Sequence, residues 1–133
     1  MSKDKKQILI IDDEVDLCEL VRFHLVKNGV DVSIANHTRE GFQKTHHEKP
    51  DCVLLDIRLP NGQDGLTFLR RIRSFRNEDA RLEAAVRETR VIILTGAGEA
   101  MRPLFQSEGI QDYIMKPYDP SDLITRIQRV LAG

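Results

Sequence analysis

Five residues whose types suit cation and phosphoryl chemistry stand just after short apolar runs. Asp12 and Asp13 follow Ile8–Ile11, Asp56 follows Cys52–Leu55, Thr95 follows Val91–Leu94, and Lys116 follows Tyr113–Met115. The three carboxylates sum to −3, and the lysine brings the set to −2. Like charges ~4 Å apart repel by roughly 4 kcal/mol at an effective dielectric near 20. A converging set must therefore hold a proton or bind a cation. Donors that are all oxygen favour a hard ion, and Mg²⁺ takes a few carboxylates while keeping several waters. One Mg²⁺ brings the charge to zero, so that an anionic phosphoryl donor can approach. A carboxylate attacks phosphorus without a general base. Asp56, at the end of the central run, is the candidate nucleophile. Thr95 and Lys116 are candidates to hold the phosphoryl oxygens. Asp12 and Asp13 both reach the cation, and their adjacency ranks them no further.

The elements that must position these residues follow from the hydrophobic pattern. The runs at 8–11, 52–55 and 91–94 are continuous Ile/Val/Leu, apart from Cys52, and suit strands buried on both faces; Val32–Ala35 and Tyr113–Met115 complete five. Between them lie amphipathic stretches. Leu17, Leu20, Val21 and Leu25 make one apolar stripe that stops at Asn28-Gly29. Thr38 is placed to cap a second helix ended by Pro50, and Gly65 opens a third with Leu66, Leu69 and Ile72. A fourth runs from about Glu99 to Glu108, closed by Gly109. Asp119-Pro120 starts the last, whose apolar face is Leu123, Ile124, Ile127, Val130 and Leu131. Strand–helix alternation repeated five times reads as an α/β, (βα)5 open sheet, in which ligands bind beyond the carboxyl ends of the strands. The stretch from Arg76 to Arg90 is surplus to that plan, and reads as an extension of the third helix or an extra helix. Arg70, Arg71, Arg73 and Arg76 read as a solvated face balanced by Glu78, Asp79 and Glu83, more than as a nucleic-acid surface.

Composition narrows the classes. The chain has 133 residues, 41% hydrophobic and 31% charged, with a net charge of −1, as expected of one ordinary folded domain rather than a disordered chain. That balance argues against coating nucleic acid or an anionic membrane. No apolar run approaches the ~20 residues of a membrane span, and the start lacks a signal-peptide core. Cys18 and Cys52 lie in apolar stretches and read as buried thiols, consistent with a cytoplasmic location.

The motifs IIDDE at 10–14, VLLDIRLP at 53–60 with DG at 64–65, ILTG at 93–96 and DYIMKPY at 112–118 resemble those of response-regulator receiver domains, in the same order and over nearly the whole chain. The resemblance implies a flavodoxin-like sheet of five parallel strands in the order 2-1-3-4-5. It also implies that Asp56 is phosphorylated by a histidine kinase or phosphotransfer protein, with Mg²⁺ as cofactor. Asp13 then binds the metal directly, Asp12 helps through water, and the backbone carbonyl of Arg58 completes the site. Thr95 and Lys116 hold the phosphoryl group, Tyr113 is the switch aromatic, and Lys116–Pro117 is a cis peptide. Phosphorylation reshapes the face built by the helix before strand five, strand five and the last helix, where a downstream protein binds. Such a chain is a signalling module whose own chemistry is limited to uptake from small phosphodonors and slow self-dephosphorylation.

Some features depart from the family pattern. The loop Asn61-Gly62-Gln63-Asp64-Gly65 is one residue longer than usual, and Gly96 stands where alanine is common. Arg58 and Ala97 occupy positions that tune dephosphorylation. The chain ends at Leu131-Ala132-Gly133, soon after the last helix, so a stand-alone receiver spanning 1–133 is expected. One competing reading is a binding module that has abandoned phosphorylation. Another is a Mg²⁺-dependent aspartyl-phosphate phosphatase, against which stands Arg58, placed where such enzymes carry a general acid. His46 and His47 read as a solvated helix end with diverging side chains, and His24 as structural.

Overall fold

The computed structural model describes residues 5–57, 63–96 and 98–133. Five strands form one parallel sheet: β1 (Gln7–Ile11), β2 (Asp31–Ala35), β3 (Cys52–Ile57), β4 (Arg90–Thr95) and β5 (Asp112–Met115), in the order β2-β1-β3-β4-β5. Among the described residues six α-helices accompany them: α1 (Val15–Lys27), α2 (Thr38–Glu48), α3 (Gln63–Arg73), α4 (Ala80–Arg87), α5 (Arg102–Glu108) and α6 (Pro120–Ala132). This is the flavodoxin-like (βα)5 arrangement with one helix added before β4.

Because side chains alternate across a strand, the sheet builds two cores. Leu9, Ile11, Val53, Leu55, Val91 and Ile93 face one side and pack with Leu66, Phe68, Leu69 and Ile72 of α3, Val86 of α4 and Phe105 of α5. Ile8, Ile10, Leu54, Ile92 and Leu94 face the other, against Val21 and Leu25 of α1 and Leu123, Ile127 and Leu131 of α6. Cys18 and Cys52 are free, buried thiols of this second core. Burial pushes both up to about 12, and at Cys18 the Asp12 and Asp56 carboxylates add to it, so neither is a reactive thiolate. None of the helices among the described residues is long and apolar enough to cross a membrane.

Helix ends show where local chemistry decided and where the sequence pattern misled. Asp119 caps α6 by accepting from the Asp122 N–H, and Gly29 and Gly109 take positive φ where α1 and α5 stop. The cap of α2 is His37, whose Nδ1 accepts from Glu40 N at 3.2 Å, and Thr38 is the first helical residue. Leu20 is 45% exposed; the inward ridge of α1 is Cys18, Val21 and Leu25, spaced three and four apart, and Leu20 shares the outer side with Phe23 and Val26. The stretch expected as a helix from Glu99 begins as a 3-10 turn, Gly98–Met101, and becomes α-helical at Arg102, with Pro103 in the first turn.

The surplus stretch is a separate helix, α4, capped by Asp79, which accepts from Arg81 N and Leu82 N. Of the arginines before it, Arg70, Arg71 and Arg76 are exposed, as expected of a solvated face, but Arg70, Arg71 and Arg73 contact groups other than Glu78, Asp79 and Glu83. Arg70 pairs with Glu108, Arg71 lies over the Phe42 ring, and Arg73 donates to the carbonyls of Arg87, Glu108 and Gly109. His46 and His47 do not diverge: their rings stack 5.3 Å apart, with Phe75 against His46.

Candidate functional site

Register places the chemistry. Ile11 pairs with Leu55 and Ile57 with Thr95, so the residues after β1, at the tip of β3 and at the end of β4 share one sheet edge. Lys116 follows β5 directly, and its N–H bonds the Thr95 carbonyl at 2.7 Å. Asp12, likewise, donates its backbone N–H to Ala35 O at 3.0 Å, one step beyond the ladder. The edge is approached closely by α3: a Cβ at Gly65 would run into the Ile57 side chain, which fits the Asp-Gly pair at 64–65.

Asp12, Glu14 and Asp56 present oxygens within 4.8 Å of one another, an arrangement that could hold a metal ion. Asp13, expected as the direct ligand, is not one of those three, but lines the same cleft of about 180 Å³ with Asp12, Asp56, Asn36, His37 and Asp64. Glu14 was missed by the reading from sequence. Its signal was spacing: in an extended turn, residues 12 and 14 lie on one side and 13 on the other. Arg58 lies outside the described residues, as do Asn61, Gly62 and Ala97.

Burial sets the electrostatics. Asp12 is 5% exposed. That burial, reinforced by Asp56 beside it, raises its carboxyl to about 7, although the Glu14 N–H bonds it at 3.0 Å and Lys116 opposes the rise. The Asp56 side chain is 1% exposed, and Lys116 Nζ stands 2.8 Å from it, hydrogen-bonding Oδ2. Oδ1 of Asp56 is buried without a hydrogen bond. The Lys116 ammonium nonetheless stands 2.8 Å from that oxygen as well, so both Asp56 oxygens have the cation beside them. The donors are all oxygen and the charge is negative, so the cluster fits a hard cation.

A family model described as the response regulator receiver domain matches residues 8–128. The chain belongs to that family. As a receiver domain of two-component response regulators, it is a signalling module. It is 33% identical over 127 residues to the phosphate regulon transcriptional regulatory protein PhoB of Klebsiella pneumoniae, which covers 95% of this chain and 52% of PhoB. The chain thus spans about half the length of that relative. Among solved structures it is similar to a CheY-like receiver from Methanospirillum hungatei JF-1, at 28% identity and a TM-score of 0.78, covering 96% of this chain and 94% of that one. It is also similar to the BeF3-activated N-terminal receiver domain of Klebsiella pneumoniae RstA, at 28% identity and a TM-score of 0.75, covering 96% and 100%. Chemotaxis response regulator CheY4 of Vibrio cholerae, 22% identical with a TM-score of 0.79 over 95% and 98%, shares the fold.

The remaining residues expected at the site lie on β4, on β5 and in the turn after it. Thr95 is fully buried. Tyr113, in β5, is 2% exposed and donates its hydroxyl to Gly98 O at 2.6 Å. Lys116–Pro117 is cis. Tyr118, half-buried, has its hydroxyl pushed up to about 12, first by burial and then by the Asp56 and Asp12 carboxylates. It belongs to the surroundings of the acid cluster and was not singled out by the motifs.

Proposed function

We propose that this chain, acting over 1–133 as one receiver, accepts a phosphoryl group on Asp56 from a histidine kinase or phosphotransfer protein. The observation that carries the reading is Asp56 itself: a carboxylate buried at the tip of the central strand, with the Lys116 ammonium 2.8 Å from both its oxygens and the Asp12 and Glu14 carboxylates beside it.

Asp12, Glu14 and Asp56, with Asp13 beside them, would hold Mg²⁺, and the expected Arg58 carbonyl belongs to the same proposal. When bound, the cation supplies charge neutralisation that lets an anionic donor approach three carboxylates. The Asp56 carboxylate then attacks phosphorus, an O–P bond forming as the donor's P–N bond breaks, and the departing imidazole takes up a proton. No base is needed, since a carboxylate oxygen attacks without a proton to remove. Lys116 holds the carboxylate in place beforehand and carries its charge to the transferred group. The Thr95 hydroxyl donates to the same group. Gly96, next to Thr95, adds no side chain to the space that group enters.

A group of about −2 charge placed there changes what Thr95 and Tyr113 pack against. The face of α5, β5 and α6, where Tyr113 lies, is the surface through which a downstream protein would read the change. Such a relay operates in the cytoplasm, without nucleic-acid or membrane contact by this chain.

The test is intact mass after incubation with acetyl phosphate, with and without Mg²⁺, on the wild type and Asp56→Asn. A Mg²⁺-dependent gain of one phosphoryl group, absent from the variant, is expected. Full labelling of Asp56→Asn would move the acceptor to another carboxylate. No gain with rapid release of phosphate would indicate a phosphatase, and neither gain nor turnover a binding module that has left phosphorylation behind.

A further inference from the structure

Tyr113 is held in its buried position by the Thr95 side chain, which hydrogen-bonds it, and by several groups that have no part in the acid cluster. Its hydroxyl bonds Gly98 O at 2.6 Å, and the Phe105 ring lies 6.4 Å away, centroid to centroid. The Arg102 guanidinium lies over the ring, 4.6 Å from its centre. Arg102 is itself braced: its Nε and Nη2 bond the two carboxylate oxygens of Glu99, the latter at 2.9 Å. The backbone on the other side is equally fixed. Tyr113 N donates to Asp112 Oδ1 at 2.8 Å, and Arg126 of α6 holds both Asp112 oxygens at 2.8 and 2.6 Å.

A cation over an aromatic face attracts it, and a planar guanidinium forked onto a carboxylate keeps its position. None of these contacts depends on Asp56. Resting on the phosphoacceptor reading above, we propose that Arg102, braced by Glu99, is a positioning residue that clamps Tyr113 inward before phosphorylation. The α5–β5–α6 face is thereby already biased toward the arrangement that phosphorylation stabilises. Arg102 then sets the basal signal, and acyl phosphate adds the remainder. A ligand can shift an equilibrium only by what the resting bias leaves available, so weakening the clamp should enlarge the response to phosphorylation.

The experiment labels the full chain with 3-fluorotyrosine; it has two tyrosines, so Tyr118→Phe assigns the two ¹⁹F resonances. Exposure of Tyr113 is read from the H₂O/D₂O isotope shift. In the wild type the Tyr113 resonance is expected to show a buried ring. Arg102→Ala should raise the exposed population roughly 2–10-fold, as loss of one cation–π contact allows. Arg102→Lys should restore part of the burial, and Glu99→Gln should fall between wild type and alanine. Addition of beryllofluoride with Mg²⁺ should bury Tyr113 further in Arg102→Ala and change the wild type less, a difference that a merely structural arginine would not produce. Wild-type exposure in Arg102→Ala, with the chain folded by circular dichroism, would overturn the clamp. Should beryllofluoride move no resonance and Asp56 take no phosphoryl group, the phosphoacceptor reading fails, while resting exposure alone still decides the clamp.

Discussion

At Asp12, burial and charge act in the same direction. Its carboxyl titrates at about 7, because it is desolvated and lies beside Asp56. An acid whose folded pKa exceeds its ordinary value of 3.8 is protonated in the fold while already ionised in the unfolded chain. Stability from this group is therefore full below about pH 4 and is lost as pH rises through about 7. The metal-free protein should melt lower at pH 8 than at pH 5. Asp12→Asn keeps the shape and an acceptor for the Glu14 N–H without the ionisation. It should stabilise the metal-free chain at pH 8 by on the order of 1–4 kcal/mol, one pKa unit being worth about 1.4 kcal/mol, and change little at pH 4. Urea titration at both values checks this; equal shifts at the two would mean that the strain is not electrostatic. Lys116→Met, which leaves Asp56 buried with its charge unpaired, should cost about 3–5 kcal/mol under the same metal-free conditions. That Asp12, Asp56, Thr95 and Lys116 gather at one sheet edge was legible because each ends or follows an apolar run. Glu14 was not, since its role depends on how the backbone turns after β1.

Helix α4 shows what an element needs beyond its own sequence. Eight residues are too few to be helical alone, and Ala80–Arg87 persists through Asp79 at its start and the arginines that tie its end. Arg73 donates to Arg87 O at 3.0 Å and Arg87 returns a bond to Arg73 O at 3.2 Å. Only Val86 is buried on it, with Leu82 packed against the same core. Asp79→Ala should cost about 1 kcal/mol, the usual worth of such a cap, and hydrogen exchange should quicken over 80–87 while β3 stays protected. Uniform acceleration across the sheet would show instead that α4 unfolds only with the whole domain. The surplus stretch could be read as helical, yet not as separate from α3, because the break rests on long-range carbonyl contacts of Arg73. Of the stripe expected on α1, Val21 and Leu25 are buried and Leu20 is not, for a related reason: with Cys18, Leu20, Val21, Phe23 and Val26 all apolar, periodicity permits two faces and only packing chooses.

At the scale of the molecule, alternation of runs and stripes gave the strands and helices, but their order depends on crossovers that no local pattern encodes. That order came from the resemblance carried by the site motifs, and it is what makes the site. Asp12 and Asp56 become neighbours only when β1 lies beside β3 with Ile11 opposite Leu55. The candidate cation site is therefore a property of the folded chain and not of the unfolded one. Whatever binds there stabilises the entire sheet by mass action, about 2.7 kcal/mol at a hundredfold excess over Kd. Millimolar Mg²⁺ should raise Tm at pH 8 by several degrees, and a chelator should reverse the rise. The gain should shrink at pH 5, where Asp12 keeps its proton and the cation must displace it. Asp56→Asn should lose most of the gain, since it removes the carboxylate that stands between the other two donors and Lys116. A melting temperature indifferent to Mg²⁺ at pH 8, where Asp12 is mostly ionised, would mean that the cluster does not hold the cation and that Lys116 alone offsets its charge.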